Sequence, residues 1–418
     1  MRDDVKARLR RLGVSQGARH LNPVPKSHQQ SFAPQEPVEA QPLEALLPGC
    51  QVVSTDQGEC LVLDRVYPLT HVHGAVPLQA SVRRSLRRLA PLVADRALAG
   101  IQLEEALFLD TETTGLWGAG TFAFLVGVGF FERNAFVVRQ YFCRDHGEEG
   151  ALLSLLGELA LQKQLLVTFN GRGFDVPLLE NRYVMNRLAP LWIDMPHLDL
   201  LQPARKLWRR RLGSVALKAL EAELLGIARS EADVPGALIP ALYQAYLRTG
   251  NGGPIARVFY HNEIDILSMV TLSHALLALL EAPQEGEGLD VLSLARWRLR
   301  QKQTAEAEQL LLAALERDLG LGAYREVLWE LAMLLKRSGR SAAAVAYWQQ
   351  LAVTSFEDTA AHVELAKYYE WQQADWGTAL SWTDQALRLA EQQDDQTLCA
   401  ALQHRLRRLE RKLARRAP

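Results

Sequence analysis

The stretch ALFLDTETTG, residues 106–115, decides how the rest of the chain is read. Ala106 to Leu109 form a short apolar run that leads straight into Asp110-Thr111-Glu112. Such a run reads as a buried strand ending at polar chemistry. Residues i and i+2 of a strand share a face, so Asp110 and Glu112 project together. Two acids held side by side repel each other. A divalent cation is the common remedy, and hard oxygen donors suit Mg²⁺ or Mn²⁺. Taken alone, the pair reads first as two solvated acids at a strand-to-loop turn.

Working outward, FAFLVGVGFFE (122–132) and AFVVRQYFC (135–143) predict two strands joined at Arg133-Asn134 in a hairpin. Helical periodicity follows over 148–162, then the strand LLVTFNG (165–171), a helix over 174–188 and one more short strand in LWIDMPHLDLL (191–201). From 200 to 282 the pattern is mostly helical. Strands first in a meander and then alternating with helices predict an α/β domain over 101–282, a mixed sheet with flanking helices. Upstream, 44–100 reads as an extension: a hairpin about TDQGE (55–59), then a helix around 82–98. Residues 1–43 begin basic and turn rich in Pro and Gln, which predicts a flexible segment.

APQEGEGLD (282–290) reads as a linker to a second, all-α domain over 291–418. Glu330 and Glu364, Ala332 and Ala366, and Trp348 and Trp382 each stand 34 residues apart. Ala295 lies 37 before Ala332, so a third copy fits upstream with a small insertion. Helix pairs at this period resemble tetratricopeptide repeats, and about three copies are the minimum that holds together. The Arg-rich last helix would cap the stack.

Two further acids change the weight of the first pair. Asp175, in NGRGFDVPLLENR (170–182), follows a strand and a Gly-containing loop at a helix start. There it is either a helix-dipole acid or a ligand. Asp265, in HNEIDILSM (261–269), sits among Ile264, Ile266 and Leu267, where an acid is costly unless paired or bound to metal. Before it stand Tyr260 and His261. If the chain is already helical there, His261 lies within about 40° of Asp265 and Tyr260 about 140° away. Histidine also titrates near neutrality, as a general base should.

Together, Asp110-Thr-Glu112-Thr-Thr-Gly115, Asn170-Gly-x-x-Phe174-Asp175-x-Pro177-Leu178-Leu179 and the segment around Asp265 resemble the DEDD family of 3′–5′ exonucleases on a ribonuclease H-like fold. With the repeat tail, the chain looks most like bacterial YprB-type ribonuclease H-like proteins; HLDLLQPARKLW and DVPGALIPALYQAYLRTG fit that likeness. The resemblance implies that Asp110, Glu112, Asp175 and Asp265 hold two Mg²⁺ or Mn²⁺ ions roughly 3.5–4 Å apart. It implies a nucleoside 5′-monophosphate product. Thr113, Asn170 and Tyr260, within or beside the three motifs, are candidate substrate contacts. In that family the third motif has a tyrosine four residues before the Asp or a histidine five before it. Here the two are exchanged, which leaves the base open between His261 and Tyr260.

Weaker candidates surround these. Asp199 reads as the cap of the next helix or as a support. RKLWRRR (205–211) offers Arg205 for phosphate and Trp208 for stacking, with a solvated basic turn nearly as good a reading. Trp117, in a Gly-rich loop, could stack on a terminal base. The basic tail HRLRRLERKLARR reads first as a solvated terminal helix.

With 418 residues and a net charge of −1, the chain is not a basic coat protein, although local patches can still bind nucleic acid. Four scattered cysteines, with no CxxC pair, predict reduced thiols and a cytoplasmic protein; Cys50 and Cys60 could face each other across a hairpin. The apolar run FAFLVGVGFF is too short to span a bilayer as a helix, so no membrane is expected. The sequence thus points to a metal-dependent 3′–5′ exonuclease acting on DNA or RNA, with a protein partner on its repeats. The alternative is a non-catalytic nucleic-acid-binding scaffold, and a hybrid-cleaving endonuclease ranks below both.

Overall fold

A computed structural model describes residues 41–115, 120–189, 192, 194–354 and 358–415. Residues 1–40 of the segment expected to be flexible, and Trp117, lie outside these. The described end of that segment is anchored: Gln41 O accepts from Gly252 N at 2.8 Å, and Leu43 is buried at the start of α1 (Leu43–Leu46).

Among the described residues, the central sheet has seven strands: β1 (Gln51–Thr55), β2 (Gly58–Pro68), β5 (Ala106–Thr113), β6 (Ala123–Glu132), β7 (Ala135–Phe142), β8 (Leu165–Thr168) and β9 (His197–Asp199). Their order is β1-β2-β7-β6-β5-β8-β9. The β1 to β5 side is antiparallel, while β5-β8-β9 is parallel. A small side ribbon pairs β3 (Val72–His73) with β4 (Val76–Pro77). The stretch 82–98, expected as one helix, is broken into 3₁₀ turns around the four-residue α2 (Ala90–Val93). Pro91 blocks a longer run, Ala94 takes a left-handed φ of 59°, and Asp95 caps the next turn.

The alternation of β5 splits the core. Ala106 and Phe108 face one apolar cluster, and Leu107 and Leu109 face the other. Helices α3 (Glu149–Ala160) and α4 (Asp175–Met185) belong to the second face; α5 (Leu201–Leu212), α6 (Leu217–Leu220), α7 (Ile239–Thr249) and α8 (Gly253–Glu281) follow. Helix α8 is 29 residues long and lies against β5, β6 and β7. It is the one described helix long and apolar enough to cross a membrane, a feature the sequence reading did not single out. Here its apolar residues are buried in the core. Two glycines of β6 allow its close approach: a Cβ on Gly127 would stand 1.9 Å from Asn262 Oδ1, and one on Gly129 2.4 Å from Ile266 Cγ2.

Among the described residues, three helix pairs and a further helix follow: α9 (Gly288–Arg300) with α10 (Thr304–Leu315), α11 (Leu321–Arg337) with α12 (Ser341–Thr354), α13 (Ala360–Trp371) with α14 (Trp376–Gln392), and α15 (Gln396–Ala414). This is an all-helical, tetratricopeptide-like repeat region following a mixed α/β sheet domain. The expected linker is instead a 3₁₀ turn at Pro283–Glu285 that passes straight into α9. One apolar cluster runs from the sheet through α5 and α8 into the repeats. The RKLWRRR segment accounts for this. Trp208 is buried and hydrogen-bonds Asp290, Arg211 Nε reaches Asp290 Oδ1 at 2.9 Å, and Arg210 grips Glu326 through two contacts of 2.8 Å. Trp208 is therefore a docking residue and not a surface for a base. Arg205 is exposed on the same helix.

Candidate active site

The turn after β8 brings Asp175 to the end of β5. Asn170 adopts a left-handed φ of 67°, and a Cβ on Gly171 would strike Thr168 at 2.5 Å, so only glycine fits there. Asp199, ending β9, fastens this turn: Oδ1 accepts from Asn170 N at 2.8 Å and from Leu201 N at 3.0 Å, and Oδ2 from Arg172 N at 3.2 Å. It both supports the loop and starts the following helix. Asp175 is buried and accepts a 2.5 Å hydrogen bond from Thr111 Oγ1. Thr113 is also buried and donates to Gly115 O at 2.7 Å, closing the turn beyond the acids.

Asp110 and Glu112 share one face of β5, where Asn262 of α8 meets Asp110 and the charge of Asp265, on the same helix, acts on both acids. The crowding shows in the acidities. Burial, then the charges of Asp265, Glu112 and Asp175, push Asp110 well above the usual carboxylate range. Burial, Asp265 and Asp175 do the same to Glu112, against the pull of Arg229. Burial lifts Asp175 to about 6 despite the Thr111 hydrogen bond. Asp265 is raised by burial although Arg229 and His261 oppose it.

Helix α8 is fully formed at Tyr260 and His261. His261 Nε2 stands 3.6 Å from Asp265 Oδ2 and 3.9 Å from Glu112 Oε1. Tyr260 turns away, and its hydroxyl accepts from Ser230 N at 3.3 Å. Of the two candidates, helix geometry thus turns His261 towards the acids and Tyr260 away from them.

Three supports were missed from sequence. Asn262 is fully buried and donates to Asp110 Oδ2 at 2.9 Å, and its Oδ1 accepts from Gln140 Nε2 at 2.9 Å. Gln140 also holds Phe259 O at 2.8 Å, so strand β7 fixes the helix turn that aims Asn262. Arg229 is the third. It is 6% exposed, makes two 2.6 Å contacts with buried Glu221 and hydrogen-bonds Asp265. Asn262 carried a signal, since four residues separate it from Ile266 on the sheet-facing stripe. Arg229 carried none, lying in the loop-like stretch GIARSEADV (226–234).

The donor set, four gathered carboxylates short of positive charge, fits a hard divalent cation. Among the described residues, however, no group of three or more His, Cys, Asp or Glu is placed to hold a metal ion. The Arg229 guanidinium sits on Asp265 instead.

Comparison with known proteins agrees with the fold. Residues 107–277, from β5 to within α8, match the RNase_H superfamily model. The chain is also 32% identical over 338 residues to protein YprB of Bacillus subtilis (strain 168), covering 78% of this chain and 80% of that protein. With the sheet order, the acid-bearing strand and the repeat tail in place, the chain belongs to the YprB family of ribonuclease H-like proteins.

Proposed function

We propose that this protein acts on nucleic acid at the four-carboxylate cleft, and that the action is metal-dependent 3′–5′ hydrolysis of DNA or RNA phosphodiester bonds. The superfamily fold supports a nuclease-related function in general terms. One observation carries the finer reading: Asp110, Glu112, Asp175 and Asp265 converge with too few cations to balance them, and burial and mutual repulsion hold their carboxyls above the usual pKa range. These four would hold two Mg²⁺ or Mn²⁺ ions. Such ions supply an activated water and neutralise charge on the phosphate. His261 takes the proton at Nε2, the ring nitrogen that faces the acids. Asn262 keeps Asp110 aimed into the cleft.

The second reading is a non-catalytic nucleic-acid-binding scaffold that recruits a protein through its repeats. The arrangement as it stands favours it, because no ligating trio is assembled among the described residues and Arg229 engages Asp265. The two readings separate in one assay. The protein and its Asp110→Ala variant are incubated with 5′-labelled single-stranded DNA and RNA, with Mg²⁺, Mn²⁺ or EDTA. A metal-dependent ladder lost in the variant supports hydrolysis. Binding of the same strands without cleavage supports the scaffold.

A further inference from the structure

We infer that Asp233 is a positioning residue for His261, fixing which ring nitrogen faces the acid cluster. Asp233 Oδ1 lies 2.6 Å from His261 Nδ1. A carboxylate at that distance requires the proton on Nδ1. Arg229 Nη1, 3.3 Å from the same nitrogen, cannot then donate to it, and its 3.5 Å contact with Asp233 Oδ1 is the interaction that remains. Nε2 is left as the available base. Its distances of 3.6 and 3.9 Å to Asp265 and Glu112 are longer than hydrogen bonds, so neither acid consumes it.

The loop carrying Asp233 is built to hold this position. Arg257, one helical turn before His261, donates to three successive carbonyls: Glu231 O at 3.1 Å, Ala232 O at 3.1 Å and Asp233 O at 2.8 Å. Tyr260 takes Ser230 N, and Asp233 N closes a turn on Ser230 O at 3.0 Å. Arg257, Tyr260 and His261 thus clamp residues 230–233 along one helix, and the clamp delivers a 9%-exposed carboxylate to Nδ1. Tyr260, set among the substrate contacts from sequence, serves here as part of this clamp. At metal sites, outer-shell partners that fix a histidine's tautomer and orientation typically contribute about tenfold to a hundredfold, and a similar scale is expected here.

The inference rests on the hydrolytic reading, so its test has a readout that needs no turnover. In the full chain with ¹⁵N-labelled histidine, NMR should show His261 protonated at Nδ1, and Asp233→Ala should redistribute the proton between the two nitrogens. In the nuclease assay, Asp233→Ala should lower kcat about tenfold to a hundredfold with KM and Mn²⁺ affinity unchanged. Asp233→Glu should recover part of the loss. Asp233→Ala should add nothing in a His261→Ala background. Asp233→Asn, which keeps size and a hydrogen bond, serves if the alanine variant does not fold. An unchanged ring proton distribution in the Asp233 variants overturns the inference, and so does an equal kcat loss with or without His261. A wild type that never cleaves overturns the hydrolytic reading alone, and the NMR result then decides Asp233.

Discussion

Glu370 in the helical stack and Asp110 in the cleft are both acids withdrawn from water, and the protein treats them in opposite ways. Glu370 is met by three basic side chains: Arg408 and Lys412 at 2.8 and 2.9 Å, and Arg405 at 3.3 Å. Burial alone would raise its pKa, yet those partners hold it below the usual carboxylate range. Glu364, between Lys336 and Lys367, is lowered in the same way. Glu326 falls to about 2, chiefly through Arg210. The cleft has the reverse balance, four acids with Arg229 on one of them and all four raised. Where an acid serves the architecture, the chain supplies its cations. Where acids converge without them, the deficit is what the proposed divalent cations would offset.

The sharpest way to break this contrast is to remove the cleft's own cation. Arg229→Met leaves buried Glu221 and Asp265 unpaired, and removing one partner of a buried pair costs about 3–5 kcal/mol. Urea unfolding in EDTA should show that loss. Added Mn²⁺ should restore more of the variant's stability than of the wild type's, because the variant has more uncompensated charge. Equal responses to Mn²⁺ would mean that the acids do not act as a cation site.

Next in size is Asp110→Asn. Metal-dependent cleavage should fall by about 10²–10³-fold or more, as when a charge-stabilising group is taken from a reaction centre. The same change should raise the melting temperature of the metal-free protein, because one of the repelling charges is gone. Asn can still accept from Asn262, so the geometry is kept. A variant that is both inactive and less stable would point to a structural role for Asp110.

The strand ending in Asp110 and Glu112, the turn before Asp175 and the acid of α8 were all legible in the sequence. Each lies where apolar periodicity meets a polar residue, and period 2 in β5 already put the two acids on one face. The 34-residue spacing likewise revealed the helix pairs. What stayed hidden depends on contacts across the chain. Arg229 meets Asp265 from 36 positions away, and Gln140 meets Asn262 from 122. The RKLWRRR segment looked like a phosphate grip because a basic helix face that docks on acids of a second module has the same composition as one that docks on phosphates. Glu326 and Asp290 decide between them, and they lie 116 and 79 residues further on.

A smaller effect comes from the architectural side. Glu370→Gln should destabilise the fold by about 2 kcal/mol. That is less than the ~3–5 of a fully buried pair, because Arg408 and Lys412 remain 35% and 36% exposed and stay partly solvated. Nuclease activity at temperatures below the unfolding transition should not change. A loss of activity in the folded variant would show that the repeats and the cleft are energetically coupled.

The smallest effect, and the finest probe of the contrast, is its pH dependence. Whole-protein stability is a poor readout, because buried His73 and half-buried His197, both held near 4, lose stability as pH falls from the ordinary histidine value, whatever the acids do. Differences between wild type and single variants cancel those terms. A carboxyl whose folded pKa is raised binds its proton more readily in the native state, so it gains stability as pH falls through that raised value. The advantage of Asp110→Asn in EDTA should therefore be largest at neutral pH and shrink on acidification towards the unfolded carboxylate range, about 4. A carboxyl whose folded pKa is lowered contributes its stability above the unfolded value and loses it only as pH falls through the folded one. The cost of Glu370→Gln should accordingly hold steady from pH 7 to about 5 and decline only below about 4. Each group can contribute at most about 1.4 kcal/mol per pH unit, so the two curves must be measured by denaturant midpoints at closely spaced pH. Parallel curves would mean that cleft and stack hold their acids by the same balance of charge, and the contrast would fail.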